Sequence, residues 1–269
     1  MTTTLLVLSV GSLVGTNILD AVADFRPGLR VVGINSEAAA PNNFRCDRVW
    51  LAPPAHETQA YWQCVEQVLE REQPTLVLAG RDDDVALMAA WRERHPRWAH
   101  GLAVGPSALA GSMTDKQLGH DWALARDLPF APTVSTDAHE AAALCARWRE
   151  EFDGALIAKP RRGDGSRGVR LLLDEAALQD ALGEHGLVIQ PYLADATPYR
   201  ALARQSGTPL FWAPALTQFV AQTVIGPEGQ VLGRLDMQAR MVAGRCEEAV
   251  RLHDSGFAAL GDRFAREFA

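Results

Sequence analysis

Residues 155–168 read Ala-Leu-Ile-Ala-Lys-Pro-Arg-Arg-Gly-Asp-Gly-Ser-Arg-Gly, a short apolar run that ends on Lys159 and opens into a loop with three glycines, one serine and three arginines. An apolar run of this length, bounded by such a loop, predicts a buried strand. A glycine-rich loop lets backbone amides turn inward around an anion, and a lysine beside it adds a compact, mobile positive charge. That combination suits phosphate. Lysine is also the exception in this chain: of 26 basic residues, all but Lys116 and Lys159 are arginine. A rigid guanidinium fork and an ammonium point charge are not interchangeable, so the two lysines become candidates for one site. The bland alternative is two lysines scattered at random in an arginine-biased chain.

The rest of the composition sets bounds on that reading. A chain of 269 residues allows one large or two medium domains, at roughly 100–200 residues each. With 48% apolar and 22% charged residues it has ample material for a core. A net charge of −7 and a pI near 5.5 argue against nucleic acid or an anionic membrane as partner. Cys46, Cys64, Cys145 and Cys246 are far apart and lack metal-ligand spacing, which predicts a reduced intracellular protein rather than a disulfide scaffold. The first apolar run follows Met-Thr-Thr-Thr, has no basic segment before it and is too short to span a membrane. It predicts a first strand, and a cytoplasmic location is expected.

Upstream of the loop, apolar runs at Leu5–Val10, Arg30–Ile34, Thr75–Ala79 and Leu102–Val104 alternate with helical patterns ending near Asp24, Gln73 and Arg94. Strands alternating with helices predict a parallel sheet with crossover helices, so residues 1–111 are expected to form a doubly wound domain. The turn Ser9-Val10-Gly11-Ser12-Leu13-Val14-Gly15 departs from the Gly-x-Gly-x-x-Gly dinucleotide pattern, and Asn35 stands where an acid would hold an NAD ribose. Gly11 is therefore assigned to a tight strand-to-helix turn. The acids Asp82, Asp83 and Asp84 lie at the ligand edge of such a sheet, but capping of the next helix by Asp82 or Asp83 explains them.

Beyond Gly111 the pattern resets. Thr114 and Gln117 have capping-box spacing, which places Lys116 in the first turn of a helix expected to run to about Arg126. A cation there opposes the helix dipole and suggests that an anion is expected nearby. Asp137, with Glu140, is read as capping a helix to Glu151. The Ala155–Lys159 strand, its loop and a strand over Gly168–Leu173 form a hairpin, unlike a P-loop, which leads into a helix. Asp174 then caps a short helix. Leu187–Gln190 is a further apolar strand running into Pro191-Tyr192-Leu193, and residues 194–208 read as irregular. Residues 209–225 and 230–242 predict a long antiparallel hairpin, and the stretch from Glu247 onward reads as helix.

This ordered set resembles the ATP-grasp superfamily, most closely its carbamoyl-phosphate-synthase-like branch with a Rossmann-like domain in front. It comprises a doubly wound domain, Thr114–Ala123, Ile157–Gly168, and Val188–Leu193 followed by an antiparallel hairpin. The resemblance implies an α/β chain in which residues 112–269 form an α+β ATP-grasp domain of two lobes, 112–190 and a partial 191–269. It implies ATP and Mg²⁺ as cofactors, with a small-molecule carboxylate and an amine as substrates. By position, Lys116 and Lys159 match the two nucleotide lysines, and Gly163, Gly165, Ser166 and Gly168 match the phosphate flap. Gln190, Pro191, Tyr192 and Leu193 match the adenine-reading hinge, with Gln190 where glutamate is usual. Asp195 falls where a ribose-binding acid sits, and Arg240 matches an arginine aimed at an acyl phosphate or acidic substrate. The family's magnesium motif, Glu-x-Asn, does not occur in the sequence, so the metal ligands are unassigned and the metal-binding part is expected to be missing. Glu247, Glu248, Asp254, Asp262 and Glu267 read as solvated helix charges. The leading expectation is a ligase that phosphorylates a carboxylate for attack by an amine. The alternatives are a nucleotide-binding protein without turnover and an NAD(P)-dependent oxidoreductase.

Overall fold

The structure is a computed structural model that describes residues 3–163, 167–205, 214–242 and 245–267. The chain divides into two compact units, Met1–Thr114 and Asp115–Ala269.

In the first unit the order is β1 (Thr3–Val7), α1 (Leu13–Ala21), β2 (Leu29–Asn35), β3 (Arg48–Leu51), α2 (Thr58–Glu72), β4 (Leu76–Leu78), α3 (Asp82–Arg94) and α4 (Ser107–Met113). The four strands are parallel in the order β3-β2-β1-β4. Side chains alternate across a strand, and this divides the apolar runs between two layers. Leu6, Leu8, Val32 and Ile34 pack with Tyr61, Val65, Val68 and Leu69 of α2 and with Met88 and Trp91 of α3. Leu5, Val7 and Val31 pack with Val10 and with Leu19 of α1. A sheet covered on both faces needs near-continuous apolar strands, which is why these runs were legible.

Two glycines are fixed by close approach rather than by backbone conformation. A Cβ on Gly15 would lie 2.3 Å from the Val10 carbonyl oxygen, and one on Gly33 would lie 2.7 Å from a Val10 methyl carbon. The expected capping by Asp82 or Asp83 falls to their neighbour. Asp84 is fully buried and accepts hydrogen bonds from the Gly80 and Arg81 amides, at 3.3 and 3.1 Å, and from the Tyr61 hydroxyl at 2.7 Å. The strand expected at Leu102–Val104 is reduced to a single parallel bridge from Leu102 to Val77.

The second unit holds α5 (Lys116–Leu124), β5 (Val134–Ser135), α6 (Ala141–Glu151), β6 (Leu156–Pro160), β7 (Arg170–Leu172), α7 (Glu175–Leu182) and β8 (Leu187–Pro191), then α8 (Thr197–Ala203), β9 (Leu216–Ile225), β10 (Val231–Val242), β11 (Arg245–Arg251) and α9 (Phe257–Arg266). Strands β5 to β8 form an antiparallel sheet in the order β5-β8-β6-β7. Its inner face, with Leu156, Ala158, Leu187 and Ile189, packs on Cys145 and Trp148 of α6 and Leu178 and Ala181 of α7. Asp174 caps α7 as expected, accepting from the Ala177 amide at 2.9 Å. Asp137 makes no cap; its carboxylate takes His185 at 2.7 Å and the Gly186 amide at 3.3 Å.

Strands β9, β10 and β11 form an antiparallel sheet in the order β11-β10-β9. The long hairpin was expected, but two other expectations are corrected. The stretch 194–208 contains α8, which begins with Pro198 in its first turn, where the missing amide hydrogen is harmless. Residues from Glu247 do not begin a helix: Arg245–Arg251 pairs with β10, and helix resumes only at Phe257. Helix α9 packs on this sheet through Phe257 against Phe219 and on α5 through stacking of Phe264 on Trp122, and just beyond the two helices Arg126 and Glu267 form an ion pair of 3.2 Å.

Candidate functional site

The strand period places the first pair of site residues. Ile157 and Lys159 on β6 share the face opposite the core, and β8 pairs Ile157 with Gln190 and Lys159 with Val188. Gln190 therefore lies diagonal to Lys159 on the same face. Lys159 Nζ donates to Gln190 Oε1 at 2.8 Å, and Gln190 Nε2 donates to the Thr133 hydroxyl oxygen at 2.8 Å. The hydroxyl in turn donates to the Ala131 carbonyl at 2.8 Å. Gln190 is buried, so its amide is fixed in orientation by a partner at each end. Partial burial, and then the like charge of Lys116, lower the Lys159 pKa from the usual lysine value.

The second lysine arrives from α5. The expected capping box is corrected by one residue: Asp115, not Thr114, is the N-cap, and its Oδ1 accepts from the Gln117 and Leu118 amides at 3.0 and 3.2 Å. Thr114 turns back to the Gly111 carbonyl. The Lys116 amide donates to the Arg161 carbonyl at 2.9 Å, and Lys116 Nζ donates to the Gly163 carbonyl at 3.1 Å. The first turn of α5 is thus bound to the root of the glycine loop, and the two lysines are near enough to repel.

Asp115 joins these parts. It is 3% exposed. Besides the helix amides it takes a two-pronged contact from Arg161, Nε to Oδ1 at 3.2 Å and a terminal nitrogen to Oδ2 at 2.9 Å, with Arg162 Nε at 3.5 Å. Burial alone would raise its pKa, but the Arg161 fork and the two helix amides outweigh it and hold the carboxyl below the usual range.

Of the other residues singled out from the sequence, Gly163 and Gly168 have positive φ, 108° and 70°, in the region that favours glycine. A Cβ on Gly168 would also approach Pro160 to 3.0 Å. Gly165 and Ser166 lie outside the described residues. Pro191 is buried at the end of β8, and the Tyr192 amide donates to the Ala155 carbonyl at 3.0 Å. The Tyr192 ring stands edge-on to Tyr199 of α8, and burial pushes its hydroxyl pKa up to about 12. Leu193 is exposed, and Asp195 accepts from the Thr197 amide at 2.8 Å at the start of α8. Arg240 pairs with Glu247 between β10 and β11. The acids expected as helix charges divide, with Glu247 and Glu248 on β11 and Asp262 on α9 paired with Arg234.

Among the described residues no three histidine, cysteine, aspartate or glutamate side chains converge on a point. Magnesium needs well-placed carboxylate oxygens, and among the described residues the carboxylate of Asp115, next to Lys116, is already taken up by arginine and amide donors. These residues do not form a magnesium seat. In the first unit, Asn35 spends its amide on the Glu37 carbonyl at 3.1 Å and on Asn43 at 2.9 Å, and a Cβ on Gly11 would meet that amide nitrogen at 2.6 Å. That packing supports the turn role given to Gly11. Among the described residues no helix is long and apolar enough to cross a membrane.

A parallel α/β unit followed by an antiparallel sheet with a glycine-loop hairpin and a second antiparallel sheet is the ATP-grasp arrangement, and the chain has that fold. Among solved structures it is similar to N5-carboxyaminoimidazole synthetase from Staphylococcus aureus complexed with ADP (TM-score 0.66, 11% identity, 100% of this chain and 64% of the other). It is also similar to the biotin carboxylase domain of Hydrogenobacter thermophilus 2-oxoglutarate carboxylase with MgADP and bicarbonate (0.61, 15%, 100% and 58%). A third is L-amino acid ligase from Bacillus licheniformis (0.60, 16%, 98% and 60%). The chain thus spans less than two thirds of the length of each. No protein-family model and no curated protein sequence matches it.

The Lys159–Gln190 contact makes a specific prediction. Gln190→Glu places a carboxylate on Lys159, which should raise the lysine pKa. If Lys159 holds a phosphate of ADP, the affinity declines as pH rises through that pKa, and the substitution should move this alkaline limb to higher pH. ADP titrations across pH 8–11 check this, and coincident limbs for the two proteins would contradict it.

Proposed function

We propose that this chain binds the phosphates of ATP or ADP on Lys116, Lys159 and the glycine loop, within an ATP-grasp ligase that activates a carboxylate. The observation that carries the proposal is the convergence of the only two lysines on one glycine loop. Lys159 would reach the α- and β-phosphates, and Lys116 would exchange its present partner, the Gly163 carbonyl, for a phosphate oxygen. The amides of Gly163, Gly165, Ser166 and Gly168 would close over the phosphates, and closure would exclude water. Backbone groups of Gln190, Pro191, Tyr192 and Leu193 would read the adenine edge, and Asp195 would lie toward the ribose.

In the reaction a substrate carboxylate oxygen attacks the γ-phosphorus, the bond to the β,γ-bridging oxygen breaks, and ADP leaves. An amine then attacks the acyl phosphate and expels phosphate. Such transfer relies on positioning and charge neutralisation rather than on a protein nucleophile. Arg240, on release from Glu247, is the proposed contact for the acidic substrate or the acyl phosphate. The synthetase, carboxylase and ligase named among the similar structures support the class, and a small-molecule substrate and a cytoplasmic setting are proposed with it.

The alternative reading is nucleotide binding without turnover. Carboxylate-dependent ADP release in the presence of ATP and Mg²⁺ separates the two. The first test is thermal: ADP at 100 times its dissociation constant should add roughly 2.7 kcal/mol to stability. Stabilisation by NAD(P) and none by ADP would overturn the proposal.

A further inference from the structure

We infer that Asp115 is a positioning residue for the phosphate site, holding the first turn of α5 and the root of the glycine loop in the one arrangement that pairs Lys116 with Lys159. The inference rests on the nucleotide reading above and extends it to a residue that does not itself touch phosphate.

A carboxylate beside two lysines is at first sight misplaced. It lowers the positive potential that an incoming phosphate meets, so by charge alone it weakens anion binding. Its geometry explains why it is there. Both oxygens are turned inward and spent on five donors: the Gln117 and Leu118 amides, two nitrogens of Arg161, and Arg162. Two of these belong to α5, and three to the two residues that lead from β6 into the loop. Asp115 is therefore a rivet between two separate segments. Lys116 follows it directly in sequence, and Lys159 precedes Arg161 by two residues. Fixing Asp115 to Arg161 fixes both lysines, and the Lys116 amide adds a parallel bond to the Arg161 carbonyl at 2.9 Å. A planar guanidinium meeting a carboxylate with two prongs sets orientation as well as distance.

The two roles of Asp115, charge and geometry, predict opposite signs. Asp115→Asn keeps an oxygen for the helix amides but loses the charged fork to Arg161. The expected result by calorimetric titration is a roughly tenfold weaker affinity for ADP, with adenosine affinity unchanged because the hinge lies elsewhere. Asp115→Ser, which keeps helix capping, should show the same selective loss and guards against a folding defect in the first variant. In the double variant D115N/R161Q the loss should be no greater than in R161Q alone, since the two changes remove one shared interaction.

If D115N bound ADP as tightly as the parent or more tightly, Asp115 would be only a nearby negative charge, and the inference would fall. A parallel loss of ADP and adenosine affinity would also overturn it, by showing a general disturbance of the unit. Absence of ADP binding by the parent chain would instead remove the nucleotide reading on which the inference stands.

Discussion

Replacing Lys159 by arginine is expected to weaken ADP binding by roughly tenfold, about 1.4 kcal/mol, although the charge is kept. The ammonium is half-buried and fits against Gln190 Oε1 at 2.8 Å, on an amide whose other end is held by Thr133. A guanidinium is larger and planar, and its five donors would need acceptors where the ammonium has, among the described residues, the Gln190 side-chain oxygen. Its bulk is expected to displace Gln190 from Thr133, which would leave a buried amide short of a partner. Lys159→Met, which removes the charge as well, should cost about 2–3 kcal/mol on the scale of charge-assisted hydrogen bonds, or roughly 30- to 160-fold. Equilibrium titration with ADP measures both. An unchanged dissociation constant for the arginine variant would sink the role assigned to this lysine.

The largest effect on stability is expected from Asp84→Ala in the first unit. The change strands the Tyr61 hydroxyl and the Gly80 and Arg81 amides around a fully buried position. An unmatched buried donor costs about 1–3 kcal/mol, so a loss of about 4 kcal/mol is expected where a whole domain has about 5–15. Denaturant unfolding of the full chain should show the first unit melting early. A loss under about 1 kcal/mol would mean that water replaces the carboxylate at little penalty. The pH dependence has a definite sign. Burial raises the Asp84 pKa in the folded state, so the contribution of its protonated form is present below the unfolded carboxylate value and is lost as pH rises through the folded one.

Residues differ in how far their own sequence revealed them. Strands β1 and β2 were legible because both faces are covered and their apolar runs are nearly unbroken. Strand β3, Arg-Val-Trp-Leu, was missed: it is short, lies at the sheet edge, and its Arg48 and Trp50 face each other as a cation and a ring 4.6 Å apart. Strand β11 was misread as helix because Glu247, Glu248 and Ala249 favour helix locally, while pairing with β10 decides otherwise.

In the site, the scarcity of lysine pointed to Lys116 and Lys159. The alternation Ile157–Lys159 and Val188–Gln190 was enough to place Gln190 on the lysine face, had the two strands been set side by side. Asp115 left a weaker signal. Two capping schemes one residue apart, from Thr114 or from Asp115, fit the same stretch, and only the distant Arg161 favours the second. A contact across 46 residues of sequence is invisible to local pattern.

The arginine bias has a consequence for the chain's covalent chemistry. Guanidinium groups are inert toward reagents that attack primary amines, so both side-chain amines in the sequence, Lys116 and Lys159, lie at the proposed phosphate site. The two are also unequal. Lys159, with its lowered pKa, holds more of the free-base nucleophile near neutrality than an ordinary surface amine would. On the proposed reading, acylation or reductive alkylation of ε-amines in this protein is chemistry on the site itself, and added ADP should protect both lysines from it.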